Sequence, residues 1–299
     1  MDYIPEEFKE VVTKHVYRNV IANISDQWTA PLILVISGPP GVGKTYQVHR
    51  ILEGLDLNIH EMSGAEFENG QAGVPAKQLL ERYDQASQDY EDSKKPAVLL
   101  IDDADTVIGN WGEMVQYTVN SQMVNKTLLD IADHPKKVHK LRGRDYAGVT
   151  LDKKSVNRIP IIMTCNDSNK FYAPLMRPGR TTIFLWNPDA STIKNVVAGI
   201  FEGILSEEDS FRLVDVLTDY SEEVDAEKYR YGVPISVYSD IKAMLRDDMI
   251  IRISNEIPLN KLIENPQLVE GMISDAIDAD LVKITEYGKK LIIKDTKFV

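Results

Sequence analysis

The stretch GPPGVGKTY at residues 38–46 combines residue types and a spacing that bind a nucleoside triphosphate. It matches the phosphate-binding P-loop, G-x-x-x-x-G-K-[ST], in full. The glycines let backbone N–H groups turn inward and form an anion-binding nest at the start of a helix. Lys44 is predicted to contact the β- and γ-phosphates of ATP, and the Thr45 hydroxyl to bind Mg²⁺. The predicted nucleotide-binding residues are Gly38, Pro39, Pro40, Gly41, Val42, Gly43, Lys44, Thr45 and Tyr46.

Polar side chains end two further apolar runs, VLLIDD (98–103) and IIMTCND (161–167). Asp102 is predicted to bind the Mg²⁺ through water. Asp103 occupies the place where many such ATPases carry a glutamate that orients the attacking water, and it is one methylene shorter. Asn166 could position that water beside the γ-phosphate. A solvated acidic turn and an ordinary turn asparagine are the alternatives.

Five strand candidates, at 31–37, 57–63, 97–105, 159–167 and 181–186, alternate with helical patterns. The alternation predicts an α/β fold whose parallel sheet is covered by helices on both faces. One helix opens at Pro75, another covers 115–133, and a polar connection follows it. After residue 187 the apolar runs stop, and 189–283 read as helices. We therefore predict an α/β domain over 1–187, with an N-terminal helix at 4–24, and a smaller helical domain over 188–299. The tail at 287–299 is expected to form a short strand or hairpin.

The charge balance narrows the class of partner. Lys and Arg number 34 and Asp and Glu 46, which gives a formal net charge of −12. Such a surface disfavours broad binding to nucleic acid or to an anionic membrane. The single cysteine, Cys165, fits a reducing compartment. No segment approaches the length of a membrane span, and the acidic N-terminus lacks a signal core. We expect a cytoplasmic protein.

One local segment, at 134–158, is basic. It carries eight Lys and Arg residues against Asp145 and Asp152. It is either a solvated loop or a site for an acidic peptide tail or a nucleic-acid backbone. Tyr146 alone is available there for base stacking, which disfavours a dedicated single-strand channel.

The order of the P-loop, LLIDD, TCN and LMRPGR (175–180) resembles an AAA+ ATPase module. LMRPGR is similar to the segment that offers arginine fingers to a neighbouring subunit in classical AAA proteins. The resemblance implies that Arg177 and Arg180 stabilise transition-state charge in trans, within a ring or helical assembly of this chain that is usually a hexamer. By itself, Pro178-Gly179 is also ordinary turn chemistry.

A narrower resemblance is to rubisco activases of the green and cyanobacterial type. It rests on the segments at 64–86, 116–135, 159–167, 171–180 and 198–209, which occur in the same order as in that family. The resemblance implies an ATP-hydrolysing ring that remodels a protein client, with rubisco as the candidate. The loop ENGQAG (68–73) lacks the aromatic residue with which unfoldases grip a threaded chain. If this loop contacts the client, the resemblance implies that the assembly pulls transiently on a folded partner. The alternative is that the loop is an ordinary surface loop.

Three features depart from that family, and one of them is the connection at 134–158, which is longer and more basic than the family leads us to expect. The P-loop has the generic AAA form, and GVPISVYSD (232–240) lacks the phosphate-sensing arginine of the family's lid helix, with Arg230 and Arg246 as distant substitutes. Two other functions therefore stay open. One is a nucleotide-dependent scaffold that hydrolyses ATP slowly. The other is an AAA+ protein with a different client, including nucleic acid bound at 134–158.

Overall fold

A computed structural model describes residues 3–63, 66, 73–108, 119–140, 152–257, 261 and 280–296. The chain forms two compact units. One consists of Ile4–Pro39 and Lys44–Asn187, and the other of Met1–Tyr3, Pro40–Gly43 and Pro188–Val299. The assignment of residues 1–187 and 188–299 to two functional domains stays a prediction.

The first unit alternates helices and strands, as the sequence predicts. Its helices are α1 (Glu6–Ile24), α2 (Lys44–Gly54), α3 (Val74–Ser93), α4 (Asp105–Ile108) and α5 (Val119–Asp133). Its strands are β1 (Ile33–Ser37), β2 (Asn58–Ser63), β3 (Ala97–Asp102), β4 (Lys137–Lys140), β5 (Asp152–Ser155), β6 (Ile161–Cys165) and β7 (Thr181–Leu185).

Five of these strands form one parallel sheet in the order β2-β3-β6-β1-β7. Every residue of β1 and of β6 is buried. Because successive side chains of a strand point to opposite faces, both faces of the central sheet are covered. The predicted α/β class is confirmed, and all five strand candidates form strands. Strands β1, β3 and β6 are almost entirely buried, whereas β2 and β7 carry exposed residues.

The polar connection after α5 contains structure that the sequence pattern does not indicate. Strands β4 and β5 pair antiparallel, with Lys137 opposite Ser155 and Lys140 opposite Asp152. Their sequences, KVHK and DKKS, lack the apolar alternation by which a strand is recognised. No strand was therefore predicted at these eight positions of the polar connection.

The second unit is helical in its described part. It contains α6 (Ala190–Ile200), α7 (Glu207–Asp225), α8 (Ile235–Glu256) and α9 (Leu281–Thr296). Two of its helices begin at side-chain caps, because Thr192 N donates to Asp189 Oδ1 at 2.7 Å and Asp209 N donates to Ser206 Oγ at 3.0 Å. Such caps satisfy amide groups that have no partner inside a helix.

The expectation of a strand or hairpin at the C-terminal tail was wrong, because α9 occupies that position. Ile284, Gly288 and Ile292 recur every fourth residue and are buried, which is the spacing of one helix face. A Cβ atom on Gly288 would lie 2.5 Å from a methyl carbon of Leu217 on α7. The glycine therefore permits the close packing of α9 on α7. The β-branched residues at 292–293 favour a strand locally, but the burial of one helix face against α7 outweighs that preference.

Within the described ranges, no helix combines the length and the apolar character that crossing a membrane requires.

Candidate nucleotide-binding site

The P-loop begins where β1 ends, between two other strands of the sheet. Ser37 pairs in register with Cys165 of β6 and with Leu185 of β7. Gly38 N donates to the Cys165 carbonyl at 3.3 Å, and Trp186 N donates to the Ser37 carbonyl at 2.7 Å. A Cβ atom on Gly38 would lie 2.0 Å from the Trp186 carbonyl oxygen. Only glycine therefore fits at the first position of the motif.

Two further glycines of the loop have left-handed backbone conformations. The φ angle is 74° at Gly41 and 77° at Gly43, where a side chain would be strained. Gly41 lies in the second unit, and its carbonyl accepts a hydrogen bond of 3.2 Å from Ser236 N, the second residue of α8. These conformations turn the loop as the P-loop interpretation requires.

Lys44 is the first residue of α2, and the residue as a whole is 6% exposed. It donates to the carbonyls of Gly38 and Pro39, each at 2.9 Å, and to Asn166 Oδ1 at 3.0 Å. Burial lowers the pKa of Lys44, against the opposing effect of nearby carboxylates that include Asp103. Its three acceptors are neutral, so a phosphate oxygen would be a stronger partner for the ammonium than any of them.

Thr45 and Asp102 lie in direct contact, although 57 positions separate them in the sequence. Thr45 Oγ1 donates to Asp102 Oδ1 at 2.6 Å, and Thr164 Oγ1 donates to the same carboxylate oxygen. Hydroxyl and carboxylate oxygens are the ligands that Mg²⁺ prefers. The donor set at this point fits the predicted magnesium site.

Asp103 directly follows β3 and is exposed. Its φ angle is 48°, a left-handed conformation that aspartate tolerates, and its N–H donates to Thr164 Oγ1 at 3.1 Å. Partial burial of the carboxyl raises its pKa, and the charges of Asp102 and Asp105 raise it further. A raised pKa is the direction that a general base at this position requires.

Asn166 directly follows β6 and meets the P-loop through its side chain. Its Oδ1 atom accepts from Lys44 Nζ. The backbone N–H groups of Asn166 and Asp167 donate to Asp105 Oδ2 at 3.1 and 3.3 Å, and Asp105 is 1% exposed. The structure therefore brings Asn166 to the lysine of the P-loop.

The two predicted arginine fingers lie at the other edge of the sheet. Ile33 N, at the amino end of β1, donates to the Arg180 carbonyl at 3.0 Å, whereas the P-loop follows the carboxyl end of β1. Four residue steps along a strand span about 13 Å. Arg180 forms an ion pair with Asp133 of its own chain. Arg177 is exposed, and its side chain makes no hydrogen bond or ion pair to any residue in the described ranges.

Two residues of this site were not among the sequence-based candidates, Thr164 and Asp105. Each lies two positions from a predicted residue, Thr164 before Asn166 and Asp105 after Asp103. The polar residues in the segments TCN and DDAD could have indicated Thr164 and Asp105 as candidates. No spacing rule, however, tells which side chains of these segments point toward the P-loop.

Two predicted surface segments are only partly described. The loop at 68–73 lies outside the described residues except for Gly73, and the basic segment is described over 134–140 and 152–158. Two of its cations bind within the chain. Lys136 Nζ lies 2.7 Å from Asp26, and the Arg158 guanidinium donates to Asn19 Oδ1 at 2.7 Å and to the Ala30 carbonyl.

Comparison with known proteins decides the family. The sequence profile of the ATPase family associated with various cellular activities (AAA) matches residues 34–189, which is more than half of the chain. The chain belongs to the AAA family. The matched range runs from β1 through the P-loop, Asp102, Asn166 and the arginine segment, so the predicted membership of a family of ATPases is confirmed.

The predicted likeness to rubisco activases is confirmed as well. The chain is 38% identical over 220 residues to ribulose bisphosphate carboxylase/oxygenase activase of Nostoc sp., covering 73% of this chain and 51% of that protein. It is 33% identical to the chloroplastic activases of Cucumis sativus, with 98% of this chain and 66% of that protein covered, and of Chlamydomonas reinhardtii, with 97% and 66% covered. The chain thus spans half to two thirds of the length of these relatives.

Proposed function

We propose that this AAA protein hydrolyses ATP in an assembly of its own copies, in which Arg177 of one copy completes the nucleotide site of the next. The work done would be the remodelling of a protein client. One observation carries the proposal, namely that the P-loop and the arginine segment lie at opposite edges of one sheet. An arginine side chain reaches about half of the roughly 13 Å that β1 spans between those edges.

ATP binding would use the groups gathered at the carboxyl edge. The P-loop amides and the Lys44 ammonium would hold the phosphates, with Thr45 and Asp102 holding Mg²⁺. When bound, the metal ion neutralises charge on the phosphate oxygens. Asp103, whose pKa is raised mainly by burial, would accept the proton of the attacking water, and the Asn166 amide would orient that water.

The arginine would stabilise the charge that develops on the transferred phosphoryl group. Supplied in trans, such an arginine increases the rate by about 10³-fold or more. An interface that joins one edge of the sheet to the other edge of the next copy is heterologous, and it closes into a ring or continues as a helical filament. The hexamer that the AAA+ resemblance implies is one such closed form.

Mixing two inactive variants tests this arrangement. Arg177→Ala keeps an intact site but offers no arginine, and Asp103→Asn offers the arginine but lacks the base. If the arginine acts in trans, an equimolar random mixture should complete about one quarter of the sites and regain turnover. A co-assembled mixture that stays inactive would refute the proposal. Steady hydrolysis by Arg177→Ala alone would favour the scaffold alternative.

The client is proposed from the relatives, whose names state that they activate ribulose bisphosphate carboxylase/oxygenase. ATP turnover should be measured with and without rubisco that a tightly bound sugar phosphate inhibits. We expect the inhibited rubisco to recover its carboxylation activity only when the wild-type protein and ATP are both present. ATP turnover without recovery of rubisco would support the proposed ATPase activity but reject rubisco as the client. We place the protein in the cytoplasm, because its single cysteine, Cys165, forms no disulfide and therefore suits a reducing compartment.

A further inference from the structure

The carboxylate of Asp105 is buried and lies behind the nucleotide site rather than in it. Asp105 is the first residue of α4 and is 1% exposed. A buried carboxylate is stable only where hydrogen bonds replace its hydration. Its Oδ2 atom accepts from the backbone N–H groups of Asn166 and Asp167, at 3.1 and 3.3 Å. The charge of Asp105 is therefore directed at the backbone that carries Asn166.

These contacts begin where the pairing of β3 with β6 ends. The last registered pair of the two strands is Ile101 with Met163. Beyond it, Ala104 N donates to the Thr164 carbonyl at 2.9 Å, and Asp103 N donates to the Thr164 hydroxyl at 3.1 Å. Asp105 adds the outermost contact, so the segments that leave β3 and β6 are held together as far as Asn166.

Asn166, whose backbone Asp105 binds, in turn contacts the lysine of the P-loop through its side chain. Asn166 Oδ1 accepts from Lys44 Nζ at 3.0 Å, and its side-chain direction is set by the backbone that Asp105 holds. The residues after Asn166 also make hydrogen bonds that do not involve the Asp105 side chain. Ser168 N donates to Ser37 Oγ at 3.0 Å, and Asn169 N donates to the Asp167 side chain at 2.9 Å. Loss of Asp105 should thus loosen Asn166 without releasing the rest of the loop.

We propose that Asp105 is a positioning residue for ATP hydrolysis: by binding the Asn166 backbone, it sets where the Asn166 amide lies relative to the Lys44 ammonium group. The proposal rests on the proposed function. Asp105 hydrogen-bonds the backbone of Asn166 and Asp167, and its charge also acts on the Lys44 ammonium group. Because those hydrogen bonds hold the backbone that carries the orienting amide, we expect Asp105 to affect the chemical step more than nucleotide binding. A misplaced orienting group lowers kcat even when the substrate is held.

The test is a double-mutant cycle between Asp105→Ala and Asn166→Ala, with kcat and KM for ATP measured for each protein. Asp105→Ala should lower kcat about 10–100-fold and change the affinity for a fluorescent ATP analogue less than about threefold. On the Asn166→Ala background the same change should have almost no further effect, because the group it positions is absent. The exposed Asp92, near the end of α3, supplies Asp92→Ala as the matched control.

Additive losses in the cycle, or a fall in nucleotide affinity as large as the fall in kcat, would overturn the proposal. Asp105→Asn keeps a side-chain oxygen that accepts from both N–H groups, so it should recover most of the activity. If Asp105→Ala does not fold, Asp105→Asn takes its place in the cycle, and its smaller loss must likewise vanish on the Asn166→Ala background.

A measurement without turnover separates this proposal from the proposed function. Hydrogen exchange at the Asn166 and Asp167 amides should accelerate in Asp105→Ala and stay unchanged in Asp92→Ala. Unchanged exchange in Asp105→Ala would overturn the positioning role whether or not the wild type hydrolyses ATP. Absence of wild-type turnover together with accelerated exchange would reject the ATPase mechanism and keep the Asp105 contact.

Discussion

Arg180 and Asp133 form a two-pronged ion pair within one chain. Arg180 Nε lies 2.6 Å from Asp133 Oδ1, and Nη2 lies 2.8 Å from Oδ2. The hydrogen bonds from Arg180 hold the pKa of Asp133 below its usual range, and Nη1 donates to the Pro174 carbonyl at 2.7 Å. The resemblance assigned Arg177 and Arg180 the same role, whereas in this structure Arg180 fastens the segment and Arg177 projects from it.

The first prediction follows from that difference. Arg180→Lys keeps the charge but loses the planar fork, so it should lower the free energy of unfolding slightly, because an exposed ion pair is screened by water. Asp133→Asn should do the same, and the double variant should lose no more than either single one. Arg177→Ala should leave stability unchanged and lower kcat by about 10³-fold. Urea unfolding and ATP turnover measure the two effects.

Full additivity of Arg180→Lys and Asp133→Asn would show that the ion pair does not act as a unit. Equal loss of stability in Arg177→Ala would contradict the assignment of the exposed arginine to catalysis rather than to folding.

The second prediction concerns Thr45, whose hydroxyl lies 2.6 Å from Asp102. Thr45→Val keeps the shape of the side chain but removes the hydroxyl, and so it should raise the Mg²⁺ concentration needed for half-maximal turnover at least tenfold. Thr45→Ser keeps the hydroxyl and should stay near wild type. A magnesium titration at saturating ATP checks this. An unchanged magnesium requirement in Thr45→Val would remove Thr45 from the metal site.

The third prediction compares two glycines of the P-loop. In Gly38→Ala the new Cβ would lie 2.0 Å from the Trp186 carbonyl oxygen, so β1 and β7 must separate, and several kcal/mol of stability should be lost. In Gly43→Ala no atom lies within 4 Å of the new Cβ, and the φ of 77° alone costs about 1 kcal/mol. Thermal unfolding should rank the two variants in that order. The reverse order would contradict the close approach at Gly38.

Local patterns made the center of this fold predictable. The strand assignments succeed because β1, β3 and β6 are continuous apolar runs. The contact between Thr45 and Asp102 was predictable because one residue belongs to a phosphate-binding motif and the other ends a neighbouring strand. The strand pair at Lys137–Lys140 and Asp152–Ser155 was missed because most of its residues are polar. Helix α9 was missed because burial at Ile284, Gly288 and Ile292 outweighs local strand propensity. The Arg180–Asp133 pair was not predictable, since nothing local specifies a contact between residues 47 positions apart.

The last prediction concerns acid stability and His15, which lies on α1 beneath the sheet. His15 is 6% exposed, and its Nε2 atom donates to the Ile161 carbonyl at 3.1 Å. The pKa of His15 is lowered to about 4, mainly by burial and also by the nearby cations Arg158 and Arg18, while the hydrogen bond to Ile161 opposes the shift. The folded protein therefore keeps a neutral imidazole where the unfolded chain, with a pKa near 6.5, already binds a proton.

The sign follows from that order of pKa values. Above pH 6.5 the histidine is neutral in both states and stability is complete. Between about pH 6.5 and 4 the unfolded chain binds more protons, so stability falls as the pH falls, by on the order of 3 kcal/mol in all. His15→Gln can keep a donor to the Ile161 carbonyl but does not titrate. Urea unfolding from pH 7 to 4.5 should show a shallower loss in His15→Gln, and an equal slope in both proteins would exclude His15 as the source.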